Sequence, residues 1–373
     1  MREFDVVVIG GGISGVAIGY ELADTRHVCL LEADADLAHQ TTGRSAATFV
    51  ESFGKGPIRR LTSASRAFYE DPPEEFDRPL LTPGPKLVVG GPGRAGEVRA
   101  MHEELTDVNL ALLEAEEVRE LCPILRPGYV ELGLYDAEAM NVDVHALVQG
   151  YARGLRNRGG EIVRDARVVS IAQADRGWSM VTRDGEHFVA PVVVNAAGAW
   201  ADRIAELASV APIGIRPLRR TVFMLAAPEH AGDISGLPLV AEVRDEFYFK
   251  PEGDQFLCSP ADETLTEPGD PRADELAIAY ALDLINETTT LNARHVRATW
   301  AGLRCFVSDR VPVVGFAPEA DGFFWCAGQG GYGIQIGPAL ARVGAGLILS
   351  GSLPEDVVAR GVRTEDLHPG RLC

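Results

Sequence analysis

A β-branched run passing straight into three spaced glycines, a second apolar run closing on an acid, and later strand-like runs divided by polar turns together predict an α/β protein of two parts. One part is a Rossmann-like, dinucleotide-binding domain made of discontinuous segments. The other is an α+β domain with a mostly antiparallel sheet.

The run "FDVVVIG" is apolar and β-branched without alternation, as in a parallel strand covered on both faces. Gly10, Gly12 and Gly15 follow at GxGxxG spacing, and "VAIGYELAD" then repeats its apolar residues at helical intervals. In such a turn the first glycine permits the sharp bend. The second lets backbone approach a pyrophosphate, and the third lets the helix pack closely with its N-terminus aimed at the phosphates. "HVCLLE" reads as the next strand, ending in Glu32, whose carboxylate can accept both ribose hydroxyls of an adenosine; Ala33 follows it. GxGxxG alone is weak evidence, but strand, glycines, helix, strand and acid in this order are specific. A glutamate there disfavours a 2′-phosphate, so NADP is not expected.

Composition bounds the rest. A chain of 373 residues, 46% hydrophobic and 24% charged, can bury a core without staples. Cys29, Cys122, Cys258, Cys305, Cys326 and Cys373 are scattered, without metal-ligand spacing, and read as reduced packing thiols. No metal site is expected. A formal charge of −19 argues against nucleic acid or anionic lipid as partner. No apolar run looks long enough to span a bilayer, and "MREFD" is not a basic leader flank, so a cytoplasmic location is expected.

Further segments suit an extended cofactor. "QTTGRSAATFVESFG" gathers small and hydroxyl residues around Arg44, "EIVRDARVVSI" reads as a strand near Val168, and "FVAPVVVNAAGAWAD" as another ending in Ala196, Ala197 and Gly198. Residues 79–137 and 210–296 differ in character, with strand-like "KLVVGG", "RRTVFMLAA" and "DEFYFKPEGDQFLCSP" and a polar loop leading into the helical "LAIAYALDLINE". The expected division is therefore 1–78, 138–209 and 297–373 for the cofactor domain, and 79–137 with 210–296 for the substrate domain.

With "TGRSAA", "LTSASRAFYEDPP", "VNAAGAW", "FYFKP", "TWAGLR" and "GFFWCAGQGGYGIQ" in view, the sequence resembles the FAD-dependent D-amino-acid oxidase and glycine oxidase superfamily, and within it the bacterial D-arginine dehydrogenases. The resemblance implies a noncovalent or, in some members, covalent FAD, and oxidation of a C–N bond beside a carboxylate. Cys305, beside Arg304, would be the tether, although it reads as a plain buried cysteine. Flavin contacts carry over to Ser14, Glu32, Thr41, Thr42, Gly43, Arg44, Ser45, Ala46, Ala47, Thr48, Val168, Gly330, Gly331, Tyr332, Gly333, Ile334 and Gln335, with Gly302 of "TWAGLR" among the cofactor residues. The N-terminal glycine loop then serves the adenosine pyrophosphate. The second, with Gly328, Gly330, Gly331 and Gly333, serves the flavin ring, where a helix starting near Tyr332 would meet the charge that develops at the N1–C2=O edge.

For the substrate, Arg304 and Tyr248 occupy the family's carboxylate-gripping positions, a role that suits a guanidinium fork and a phenol. Arg219 matches another active-site arginine, although its neighbour Arg220 leaves that choice open. Gln335 and the Gly331 backbone are candidates to orient the amine, and Tyr332 to line the entrance. An amine bound unprotonated needs no general base, so His145, His187, His295 and His368 read as ordinary histidines. Three positions depart from D-arginine dehydrogenase: Lys86 replaces an acid, while Thr48 and Phe53 replace a histidine and a tyrosine. The expected reaction is oxidative deamination of a D-amino acid to a 2-oxo acid and ammonia, by hydride transfer from Cα to flavin N5, without preference for basic side chains. Lys86 would meet a distal polar or carboxylate group, or else solvent. The electron acceptor is oxygen, a quinone or a redox protein. The alternatives are a glycine- or sarcosine-type secondary amine oxidase, and a flavoprotein subunit of an electron-transfer assembly.

Overall fold

The computed structural model describes residues 1–372; Cys373 lies outside the described residues. The glycine motif folds as its pattern predicts. Strand Val6–Ile9 is fully buried and runs into helix Ile13–Leu22, and strand Val28–Leu31 pairs parallel beside it. Strands Glu161–Val163, Val28–Leu31, Val6–Ile9, Val192–Asn195 and Phe323–Ala327 form a parallel sheet in that spatial order, closed at one edge by antiparallel Val313–Phe316. Four segments far apart in sequence thus build one sheet, which is the discontinuity expected of the cofactor domain.

"FVAPVVVNAAGAWAD" departs from the single strand expected of it. It forms two strands, His187–Ala190 and Val192–Asn195, in different sheets. Pro191 separates them, because its nitrogen carries no hydrogen for a ladder bond.

The second domain is a nine-stranded sheet, antiparallel except where Leu239–Glu242 lies parallel to Lys86–Gly90. The hairpin Tyr248–Glu252 and Gln255–Ser259 sits inside it. Helix Glu275–Thr288 starts where the polar loop ends: the Asp274 carboxylate accepts from the N–H groups of Leu276 and Ala277. One boundary is misplaced in the sequence reading. Strand Val296–Phe306, assigned to the cofactor segments, pairs along most of its length with Arg216–Ala226 and belongs to the substrate sheet.

Strand alternation gives this sheet two unlike faces. Phe223, Phe249, Phe256, Leu87 and Val240 pack in one apolar cluster, whereas Val222, Ala241, Tyr248 and Leu257, with Trp300 against them, turn the other way.

Helix Gly333–Ser350, against expectation, has the length and apolar composition of a membrane span, but it is 67% buried within this fold. It packs on helices Ile13–Leu22 and Pro57–Glu70. Pro338 lies inside it and cannot donate to the Ile334 carbonyl. The Tyr69 hydroxyl donates to that carbonyl instead.

Candidate active site

The loops after the parallel strands and the second face of the large sheet line one cavity. Its walls come from the helix start (Gly12, Ser14), the segment Thr41–Thr48, the substrate strands (Arg220, Tyr248, Gly302, Arg304) and the C-terminal loop and helix start (Gly330, Gly331, Gly333, Ile334, Gln335). Sequence positions near both ends of the chain therefore share one space. The wall segment itself is tied in at several points: Ile13 N donates to Thr42 Oγ1, Thr41 Oγ1 to the Leu303 carbonyl, and Trp300 Nε1 to the Arg44 carbonyl.

The motif glycines divide by role. Gly10 holds φ at +111°, and a Cβ on Gly15 would lie 1.8 Å from the Gly10 carbonyl oxygen, so these two glycines make the turn and the helix packing possible. Gly12 faces the cavity, where a Cβ would meet only Thr42 Oγ1, at 3.3 Å. The helix after it has no side-chain cap and no acid in its first turn, which leaves its positive end for an anion. Glu32 accepts from Gly11 N at 2.6 Å and Asp34 N at 2.8 Å, and burial pushes its carboxyl above the usual range. Each of its oxygens keeps acceptor capacity for a ribose hydroxyl. Val168 is buried and starts a strand next to Ala166, whose N–H donates to the Glu32 carbonyl. Ala33 and Gly43 are exposed and do not line the cavity, nor does Ala197, although Ala196 and Gly198 do.

At the other end the second helix begins at Gly333, with Tyr332 at its cap position, no side-chain cap and no acid in the first turn. The glycines before it answer to protein atoms. Gly330 has φ +56° and presses on Phe306, and a Cβ on Gly331 would lie 2.8 Å from Cζ of Arg304. Gly331 thus clears a path for the guanidinium, a reason absent from the sequence reading. Gln335 lines the cavity, but its amide nitrogen donates to the Phe53 carbonyl and to Thr62 Oγ1, which leaves its carbonyl oxygen as the group free to accept. Tyr332 stands behind the wall, its ring 5.0 Å from Phe53 and 6.3 Å from Phe306 between centroids.

The cationic groups are unequally compensated. Arg304 makes no hydrogen bond or ion pair with any described residue. Arg219 does not face the cavity: it bonds Asp262, Thr264 and Asp274. Adjacent strand residues point to opposite faces, so Arg220 turns inward in its place. Arg220 is 8% exposed; its Nε has no partner, and Nη2 reaches Glu263 at 3.3 Å. Burial, and then the charge of Arg304, draw its pKa down to about 10, so it remains cationic at neutral pH. Arg44, the third arginine on the wall, is neutralised by Asp270. No aspartate or glutamate lines the cavity. Lys86 lies beyond the lining, its ammonium 5.1 Å from the centre of the Phe53 ring, and burial lowers its pKa. Cys305 also lines the cavity; burial pushes its thiol up to about 12, so it stays protonated. Sequence reasoning did not single out Val222 and Gln329, which line the cavity as well. Alternation from Arg220 would have pointed to Val222; nothing in the sequence marks Gln329.

The chain matches the family described as "DAO: FAD dependent oxidoreductase" over residues 5–347. It is 27% identical to FAD-dependent oxidoreductase domain-containing protein 1 of Bos taurus, over 93% of this chain and 81% of that protein. It is 25% identical to glycine oxidase of Geobacillus kaustophilus, over 100% of this chain and 97% of that protein. Its fold superposes on L-proline dehydrogenase from P. horikoshii with a TM-score of 0.85, at 20% identity, covering 99% and 98% of the two chains. The cavity suits FAD: two uncapped helix starts bracket it, small residues and exposed backbone line its length, and Glu32 lies just behind its lining, bonded to the N–H of Gly11 beside Gly12.

Proposed function

The chain belongs to the DAO family of FAD-dependent oxidoreductases, and on that premise we propose that it oxidises the amine of a D-amino acid, releasing a 2-oxo acid and ammonia. The observation that carries this reading is Arg304, a guanidinium without a protein partner on a wall without carboxylates. A bidentate carboxylate matches that fork and gains most where water is scarce. Arg220 supports the same anion with its unpartnered Nε, and Tyr248 offers a phenol on the same sheet face.

When bound, FAD supplies the acceptor for the hydride leaving Cα. The chain's own residues do the positioning. Arg304 and Arg220 fix the carboxylate, and the Gln335 carbonyl accepts a hydrogen bond from the amine. The substrate amine enters unprotonated and loses one proton to solvent, and the resulting imine takes up water to give the oxo acid and ammonia. The high pKa of Cys305 supports a flavin held without a covalent thioether. Basic side chains are disfavoured, because the wall holds no carboxylate to receive them.

The end-to-end similarity to a glycine oxidase supports a second reading, a small secondary amine as substrate. A screen of D- and L-amino acids, glycine and sarcosine, watching flavin bleaching without oxygen, separates the two. Bleaching by D-amino acids is expected; bleaching by sarcosine and glycine alone would replace the first reading with the second. Stoichiometric hydrogen peroxide in air would identify oxygen as the electron acceptor.

A further inference from the structure

Four buried or partly buried cations lie on or near the substrate face of the large sheet, and three have a partner or a task. Arg304 and Arg220 grip one carboxylate. Lys250 is 5% exposed and bonds Asn141 Oδ1 at 3.1 Å and Glu252 at 3.0 Å. Lys86 has neither. No described carboxylate lies within 4.0 Å of its ammonium; Asp245 and Asp136 act on it only from farther off. Asp136, opposite it in the ladder, is occupied by the Ser52 hydroxyl at 2.7 Å and the Glu138 N–H at 3.2 Å.

Register places Lys86 on the face that holds the substrate clamp. Val88 pairs with Ala241 and Ala241 with Tyr248, and Lys86 lies two residues before Val88, so its side chain projects to the Tyr248 side. Its ammonium sits against Phe53, which is itself a cavity wall. An ammonium desolvated in this way, set against one aromatic ring and reached by Asp245 and Asp136 only from a distance, is incompletely compensated, and an arriving anion offsets the remaining cost.

We propose that the substrate carries a second carboxylate, on its side chain, which docks on Lys86: an acidic D-amino acid. This rests on the amino-acid reading above and sharpens it to a substrate class. The first carboxylate lies on Arg304 and Arg220, and Lys86 holds the far end. A cationic side chain would meet like charge there instead.

The test compares D-glutamate with its neutral isostere D-glutamine on the holoenzyme. The expected ratio of kcat/KM favours the acid at least tenfold. Lys86→Met lowers that ratio tenfold or more, Lys86→Arg retains it, and Lys86→Glu inverts it. Glutarate and butyrate provide a readout without turnover: the wild type binds glutarate at least tenfold more tightly, by titration of flavin absorbance, and Lys86→Met binds the two alike. Equal rates on D-glutamate and D-glutamine, with the ratio unmoved in Lys86→Met, overturn this inference and leave the amino-acid reading standing. Flavin that no amino acid bleaches overturns both.

Discussion

Arg219 and Arg220 are neighbours in sequence and face opposite sides of one strand, so only Arg220 can serve the cavity. Replacing Arg304 by Met should lower kcat/KM by two to three orders of magnitude, the roughly 3–4 kcal/mol typical of a lost buried charge partner. Flavin content should be unchanged, which absorbance of the purified variant checks. Replacing Arg219 should cost stability and little of the substrate grip, because its partners Asp262 and Asp274 tie loop to helix. A residue far from the cavity sets a pH dependence. Burial raises the Glu21 carboxyl to about 7 from 4.5, outweighing Arg342 and Arg158. A folded pKa above the unfolded one means that the folded state prefers the protonated form. Stability from this group is therefore intact below about pH 4.5 and is lost as pH rises to 7, by at most about 3 kcal/mol. Glu21→Gln should accordingly melt higher than the wild type at pH 8 and no higher at pH 4.

At the scale of elements, the two glycine loops differ in what they accommodate. The N-terminal turn is compressed against itself, so Gly15→Ala should give no folded, yellow protein, as judged by soluble yield and flavin absorbance: a methyl 1.8 Å from a carbonyl oxygen has no room. The C-terminal loop is shaped around Phe306 and Arg304. The helix after it tolerates Pro338 because Tyr69 occupies the freed carbonyl of Ile334. Tyr69→Phe should cost about 1–3 kcal/mol in urea unfolding, the penalty for a buried acceptor left unpaired. Strands and helices of the cofactor domain were legible because a buried parallel strand and a glycine turn leave dense local signatures. The break at Pro191 was missed, although proline ends a ladder; His187–Ala190 pairs with nearby Gly177–Thr182, whereas Val192–Asn195 joins strands more than 100 residues away.

Across the whole molecule, ion pairs hold residues 260–274 of the substrate domain to three segments of the cofactor domain. Asp270 pairs with Arg44 of the cofactor segment, Glu263 with Arg310, and Glu267 with Arg203. FAD, reaching from Gly12 to the start of helix Gly333–Ser350, would bridge elements from the two ends of the chain. Apoprotein melting should therefore rise with FAD concentration, by about 2.7 kcal/mol of stabilisation at a hundred times Kd, and NADP should produce no comparable rise. A melting curve insensitive to FAD would contradict the cofactor assignment at this cavity.

The amino-acid sequence alone determined the nucleotide turn, the acid at the second strand's end, the interrupted cofactor domain and the family, because each rests on residue types at short fixed spacings. Tertiary structure alone decided which arginine faces the cavity, why Gly331 must be small, that strand Val296–Phe306 belongs to the substrate sheet, and that Lys86 lies against Phe53 without a close ion pair. Those facts concern pairs of side chains brought together from distant segments. Strand pairing and burial create such pairs, and no local pattern along the chain encodes them.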